Sequence, residues 1–512
     1  MANAVDTSLS TAVETQQVRE IENSAREAST HQKFASKDTL VPLLAVFALA
    51  LLLRLAVFHS SPSIYWADEI FQTQEPAHRI AYGPGIVTWE YRLGLRSWVL
   101  PVIIAGVMKA TAWLGPGSSG YVFGTAFFFA LISLTAVWFA FSWCNKYFGL
   151  ESAVLAAFST AVWFELINFA PRALYEVLAG SLFLPAIYLG SLPPSDTKVE
   201  NRWRLILIGL LLGLTACLRI QYAPAALLAG LWIMSRNWKA RWLPITGAAL
   251  VVVAVFGFVD ALTWSFPFYS YWAYFRENIV NHKAANFGIL PWYYYFGSLF
   301  VHTGPLALFA LVGVRRSPIL GWISLAILLP HSAIAHKEFR YIYPVLPILL
   351  VLASIGLVEF LQFVQRKMQW RRAPQTVFLV AAGFVLICSL GLASQFPRWQ
   401  KARGGLRAFT FLSNDRDACG LAVLNVNWWD TGGYTYLHRQ IPIFFLPNSG
   451  YDPSISQSFN RLVLPQSDAV PFPGYHAASC QDGVCVYRRE GSSCQGDASF
   501  YESNEYLRRL GK

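Results

Sequence analysis

The chain reads as an all-α polytopic membrane protein that ends in a small extramembrane domain, and three observations predict it. Of 512 residues, 55% are hydrophobic and 15% aromatic, while only 13% are charged; a soluble protein carries about 25%. Apolar runs long enough to span a bilayer recur from residue 39 to residue 394. Beyond residue 395 the runs give way to short strand-like pieces rich in Pro and Gly, and four of the seven cysteines lie there. The net charge of +11 is therefore read as topology and lipid-surface charge. No basic face with interleaved aromatics stands outside the apolar runs, so nucleic acid is not an expected partner.

Residues 1–38 are polar and predict a mobile cytoplasmic tail with no cleavable signal peptide. The apolar runs follow at 39–58, 98–114, 121–143, 151–169, 174–192, 205–218, 222–235, 242–262, 293–314, 319–335, 341–363 and 374–394. Basic loops at 236–241, 315–316 and 366–372 alternate with segments around Arg276 and His336, and the positive-inside rule makes the basic set cytoplasmic. The second set, and residues 395–512, then face the external side. Parity requires one run, 205–218 or 174–192, to be re-entrant or too short to cross. The expectation is 11–13 transmembrane helices, with long external loops at 59–97 and 263–292. The segments 420–426 and 441–446 read as strands of a mixed or β-rich domain. If Asp482-Gly483 form a two-residue hairpin turn, Cys480 and Cys485 face each other at a bridgeable separation, which predicts a disulfide and an oxidising compartment.

Two charged stretches interrupt the apolar pattern. His336-Lys337-Glu338-Phe339-Arg340 places four ionisable side chains in five positions between two spans. Each charge kept within hydrocarbon costs roughly 2.5–3.5 kcal/mol. The stretch is either a solvated loop or a cationic pocket suited to a lipid-borne phosphate. Tyr65-Trp66-Ala67-Asp68-Glu69 sets adjacent carboxylates among aromatics at a span's outer end, as a general base with a raised pKa or as an interfacial turn. Arg172 and Glu176, four apart, read as a structural ion pair if helical. Arg219 is either a hairpin tip or a phosphate contact. His302 reads as a packing histidine, and Trp428-Trp429-Asp430 as a sugar platform or domain packing. No metal-ligand cluster is visible, and no cofactor is expected.

Ala67-Asp68-Glu69 with Phe71-Gln72, Glu75, Ala77-His78, Tyr82-Gly83, Thr88-Trp89-Glu90-Tyr91 and Arg96-Ser97 resembles the first luminal loop of glycosyltransferase family 22. His336 to Arg340 with Ile342-Tyr343-Pro344 is similar to that family's second hallmark, especially in its GPI mannosyltransferase III subgroup. Asp260, Asn278, Phe287-Gly288 and Pro291-Trp292-Tyr293-Tyr294-Tyr295-Phe296 resemble its middle loop. Gly433-Tyr434-Thr435-Tyr436-Leu437-His438 and Phe445-Leu446-Pro447 resemble a C-terminal block. The pattern departs at Ala67, where the family has Pro, at Leu290, where it has His, and at Arg219-Ile220-Gln221, which replaces an Arg-Pro-Thr block.

The resemblance implies a GT-C fold and an inverting mannosyltransferase using a polyprenyl- or dolichyl-phosphate mannose donor and a glycolipid or glycan acceptor. It implies Asp68 as catalytic base, with Glu69 as second choice, and His336, Lys337 and Arg340 as hydrogen-bond donors to the lipid phosphate, with Glu338 orienting them and Arg219 a further phosphate contact. Gln72, Glu75, Trp89, Glu90, Tyr91, Arg96, Trp292 and Tyr293 become expected substrate contacts. Another lipid-phosphate sugar, arabinose or glucose, is the alternative within the class. A carrier flippase is the alternative outside it, and would predict inverted repeats. The compact loops favour a bacterial inner membrane with a periplasmic site over an endoplasmic reticulum membrane with a luminal one.

Overall fold

The computed structural model describes residues 37–193, 200–369, 374–491 and 493–512. The expected tail at 1–38 falls almost wholly outside the described residues, as do residues 370–372 of the last basic loop. The first part of the chain forms helices α1 (Lys37–Ser60), α2 (Glu75–Tyr82), α3 (Trp89–Arg92), α4 (Val99–Thr111), α5 (Ser119–Tyr147), α6 (Leu150–Val162), α7 (Phe164–Phe169), α8 (Tyr175–Ser191) and α9 (Arg202–Leu218). Next come α10 (Ala223–Ser235), α11 (Trp238–Thr263), α12 (Tyr269–Phe275), α13 (Tyr294–Thr303), α14 (Leu306–Arg316), α15 (Pro318–Ala333), α16 (Val345–Lys367) and α17 (Pro374–Ala393).

Among the described residues five helices, α1, α5, α11, α16 and α17, are long and apolar enough to cross a membrane singly. Helices α13 and α14 make a sixth if taken as one broken span, bent by 108°. The expected 11–13 spans do not emerge as that many full-length helices, because several runs are interrupted. Trp163 leaves the helix for extended backbone and splits one run into α6 and α7. Gly304, at φ +54°, ends α13 just before Pro305. The sharpest break thus falls in the run 293–314, whereas α8 and α9 are continuous helices of 17 residues. Large apolar side chains such as Leu52, Leu250, Leu311 and Ile387 point outward. That arrangement satisfies backbone polar groups within helices and leaves apolar atoms for lipid. The protein is a multi-pass integral membrane protein. Helix α16, with 72% of its apolar window buried, is the central post, while α1 and α17 are peripheral at 17%.

The C-terminal part adds α18 (Arg403–Leu412), β1 (Leu421–Leu424), α19 (Gly433–Leu437), β2 (Ile443–Leu446), β3 (Arg461–Pro465), β4 (Tyr475–Gln481), β5 (Val484–Arg489) and α20 (Ser503–Arg509). The sheet order is β2-β1-β3-β5-β4, with β1 parallel to β2 and β3 and the rest antiparallel, so it is mixed. Strand alternation divides its side chains. Leu421, Val423, Ile443, Phe445, Val463 and Val486 join the core of the helical part. Ala422, Leu424, Phe444, Leu446, Leu462 and Leu464 form a second core on the other face. Instead of standing apart, the sheet is a lid packed on the helices. Asp482 and Gly483, both at positive φ, turn β4 into β5 and set Cys480 opposite Cys485, which are disulfide-bonded. A second disulfide, Cys419–Cys494, was not readable from spacing across 75 residues.

Candidate active site

The loop after α1 is fixed by aromatic packing: Trp66 lies edge-on to Tyr65 at 4.0 Å and stacks on Phe169 at 5.0 Å. A helical turn then starts at Asp68 and runs into a π-turn at Ile70–Gln74. Neighbouring residues on a helix diverge by about 100°, which separates the two carboxylates. Asp68 opens onto a cleft. Glu69 turns inward, where its carboxylate accepts from Arg172 Nη1 at 2.8 and 3.0 Å and from the Tyr65 backbone N–H at 2.6 Å. Glu69 is therefore a buried anchor of the loop, turned away from the cleft that Asp68 faces. Arg172 spends its guanidinium there and on Asn168 and Ser63, because the chain leaves helical geometry between α7 and α8. The expected Arg172–Glu176 pair does not form.

Glu75 is also structural. Its carboxylate accepts four hydrogen bonds, from the N–H groups of Ile86, Tyr434 and Thr435 at 2.8 Å and from Thr435 Oγ1 at 2.7 Å. It clamps α2 to α19 and so ties the loop to the sheet domain. Tyr91 is buried and donates to the Gln72 carbonyl at 2.8 Å. His78 donates from Nδ1 to the Pro84 carbonyl at 2.8 Å, leaving Nε2 to accept from His438 Nδ1 at 3.2 Å.

The opposite wall is the stretch between α15 and α16. A 3-10 turn at Phe339–Ile342 points Phe339 down and Arg340 across. Phe339 stacks on His302 at 3.7 Å, and His302 Nδ1 lies 2.6 Å from Glu165 Oε1, so His302 is a packing residue with its own partner. Arg340 joins the walls: it pairs with Asp68, donates from Nε to Glu338 Oε2 at 2.5 Å, and lies 3.5 Å from Glu176. Glu176 in turn holds Arg219 at 3.2 Å. His336 Nε2 is 3.0 Å from Glu338 Oε1. Lys337 does not face the cleft; its ammonium donates to the carbonyls of Leu290, at 3.0 Å, and Ile334. It braces the middle loop, and the cationic wall is carried by Arg340 and Arg219, with His336 beside them.

The cleft between the walls holds about 740 Å³ including its open mouth. It gathers Asp68, Gln72, Trp89, Glu90, Arg96, Arg219, His336, Glu338 and Arg340. Glu90 accepts from Arg96 Nη2 at 2.7 Å and from Gln72 at 3.2 Å. Trp89 lies near-parallel to Phe287 at 6.2 Å, with Lys283 Nζ 4.3 Å from its ring. Trp292 and Tyr293 are exposed and pack on each other and Phe296, outside the cleft. Their position in the middle loop did not reveal this, since that loop turns at Gly288, φ +110°. Sequence reasoning missed Tyr274, His331 and Tyr341 as cleft residues. Only the closeness of His331 and Tyr341 to the charged stretch hinted at them.

Burial pushes the Asp68 carboxyl up to about 6, with Glu90 and Glu338 adding and Arg340 and Arg96 opposing. Burial also disfavours charge on Glu338, but Arg340 and His336 outweigh it and hold that carboxyl down at about 2. One carboxylate is thereby suited to taking a proton and the other to remaining an anion that orients cations. Among the described residues no three His, Cys, Asp or Glu side chains converge as a metal-ligand set.

A helical membrane core carrying this acid–cation cleft, with a sheet domain packed against it, has the GT-C fold. Its backbone matches ArnT from Cupriavidus metallidurans, solved with undecaprenyl phosphate, at a TM-score of 0.58 and 12% identity over 90% of this chain and all of that one. Residues 44–438 match the Alg9-like mannosyltransferase family, glycosyltransferase family 22, and the chain belongs to it. Similar relatives are GPI mannosyltransferase 3 of Yarrowia lipolytica, 27% identical over 80% of this chain and 77% of that protein, and α-1,2-mannosyltransferase alg9 of Schizosaccharomyces pombe, 23% identical over 84% and 78%. GPI α-1,2-mannosyltransferase 3 of Mus musculus is 27% identical over 64% of this chain and 60% of its own length. The protein is an α-mannosyltransferase.

Proposed function

We propose that the enzyme moves a mannosyl group from a polyprenyl- or dolichyl-phosphate carrier to a hydroxyl of a glycolipid or glycan, with inversion at C1, on the non-cytoplasmic face. The observation that carries this is the meeting of Asp68 with Arg340 across one cleft from segments 272 residues apart. In the reaction the acceptor oxygen bonds to C1 as its proton passes to Asp68. The C1–O bond to phosphate breaks, and the lipid phosphate leaves with the electron pair. Arg340 and Arg219, oriented by Glu338 and Glu176, stabilise the charge that grows on the departing phosphate. Trp89 supplies a flat apolar face for a pyranose. Two disulfides in the sheet domain support an oxidising compartment, a periplasm or an endoplasmic reticulum lumen.

The test is transfer from lipid-phosphate mannose in detergent. Asp68→Asn should abolish turnover and leave donor affinity within about threefold, whereas Arg340→Ala should weaken donor binding at least tenfold. Wild-type turnover by Asp68→Asn would remove Asp68 as the base.

A further inference from the structure

Nearly all the charged groups of the cleft are committed to one another, so the atoms left over say what else a substrate must offer. Asp68, Glu338 and His336 are tied together through Arg340 or Glu338, and Glu90 is tied to Arg96 and Gln72. Gln221 donates to the Tyr274 hydroxyl at 2.6 Å. Among the described residues, two cleft-lining side chains carry a buried polar atom with no hydrogen-bond partner: Arg219 at Nε and His331 at Nε2. Both residues are over nine-tenths buried, at 5% and 2% exposure.

The two atoms are of opposite kind. His331 Nδ1 lies 2.7 Å from the Ile327 carbonyl, one turn back in α15. A carbonyl only accepts, so Nδ1 bears the hydrogen and Nε2 of the neutral ring is a bare acceptor. The ring is buried and, among the described residues, pairs with no carboxylate, and burying an unpaired charge is costly, which keeps it neutral. Arg219 Nε is a donor by nature. A phosphate oxygen satisfies a donor and repels a lone pair, so it fits Arg219 and not His331. A hydroxyl fits both, accepting from Arg219 and donating to His331.

We propose that Arg219 and His331 form a hydroxyl-recognition subsite at the α15 wall of the cleft, which reads a ring hydroxyl of the sugar on the lipid-phosphate donor. This rests on the donor assignment above and deepens it. His331 is the sugar-discriminating contact, Arg219 shares that hydroxyl through Nε, and Arg340 with the rest of the Arg219 guanidinium faces the phosphate. Leaving the buried Nε2 without a partner costs part of the free energy of every complex that lacks that hydroxyl.

Binding in detergent separates the possibilities without turnover, using polyprenyl phosphate with and without mannose as probes. His331→Asn keeps the hydrogen bond to Ile327 through its amide N–H but cannot reach into the cleft. His331→Gln places an amide oxygen where Nε2 stood. The subsite predicts that wild type prefers the mannosylated carrier and that His331→Asn loses about tenfold in affinity for it, with the bare phosphate unchanged. His331→Gln should stay within about threefold of wild type for both. A His331→Asn enzyme that keeps the preference for the mannosylated carrier overturns the subsite, as does equal weakening of both carriers, which marks a structural role. A wild-type protein that binds neither carrier overturns the donor assignment itself, a result distinct from the other two.

Discussion

Glu176 is the most exacting test of the geometry, because its partners differ from those its sequence spacing suggests. The carboxylate is 1% exposed and lies 3.2 Å from Arg219 and 3.5 Å from Arg340. At an effective dielectric near 20, each contact amounts to about 5 kcal/mol of Coulomb attraction. Glu176→Gln removes both and leaves two buried guanidinium groups facing each other without their shared counter-ion. Breaking a buried pair by removing one partner costs about 3–5 kcal/mol, which for a chain of this length predicts a fall in melting temperature of about 3–5 °C. The assay is intrinsic-fluorescence melting in detergent, repeated with polyprenyl phosphate. Added lipid phosphate should recover part of the loss, since it supplies an anion to the same two arginines. A double-mutant cycle adds the decisive comparison. Arg172 has Glu69 as its partner, so Arg172→Met and Glu176→Gln should show little coupling. A coupling of roughly 3 kcal/mol between them would mean that they pair with each other and that Glu176 does not support the cationic wall.

Other consequences follow from single groups. The proton on Asp68 must be absent for it to act as a base, so kcat/KM should rise with pH on an acid limb centred near 6; a limb near 4 would mean that burial does not govern this carboxyl. Glu75→Gln turns one of two accepting oxygens into a donor facing backbone N–H groups, so hydrogen exchange at Tyr434 and Thr435 should accelerate at least tenfold while Cys480–Cys485 stays intact. Burial holds His78 down at about 4, below the ~6.5 of an unfolded histidine. The unfolded chain therefore binds more protons between those values. Stability from this contact is full above pH 6.5 and is lost as pH falls towards 4, and protection around His438 measured at pH 7 and pH 5 should show it.

What the sequence revealed depended on whether the signal was local. Asp68 and Arg340 were legible because charges at the ends of apolar runs are costly and therefore informative, and the α16 span announced itself by length and apolarity. The hairpin at Asp482-Gly483 was legible for the same reason: the turn chemistry and the two cysteines lie within six residues. Lys337 shows the limit. It and Arg340 are both cations of one stretch, and only the extended backbone at Ile334 followed by the 3-10 turn at Phe339 decides which enters the cleft. Glu69 and Asp68 differ by one helical step, and nothing in composition says which of two adjacent carboxylates meets an arginine 103 residues away.

Glu75 and the sheet domain extend this point from side chains to architecture. A change from helix to strand periodicity at residue 395 marks a boundary in the chain, but it does not say whether the new layer stands free or closes over the old one. Here a single buried carboxylate accepts from residues 359 and 360 positions away, and alternate residues of β1 and β2, with Val463 and Val486, join the helical core. Those contacts set the position of α2, and through the π-turn before it the position of Asp68. The sheet domain is therefore tied structurally to the loop that carries Asp68, even though no strand of it lines the cleft.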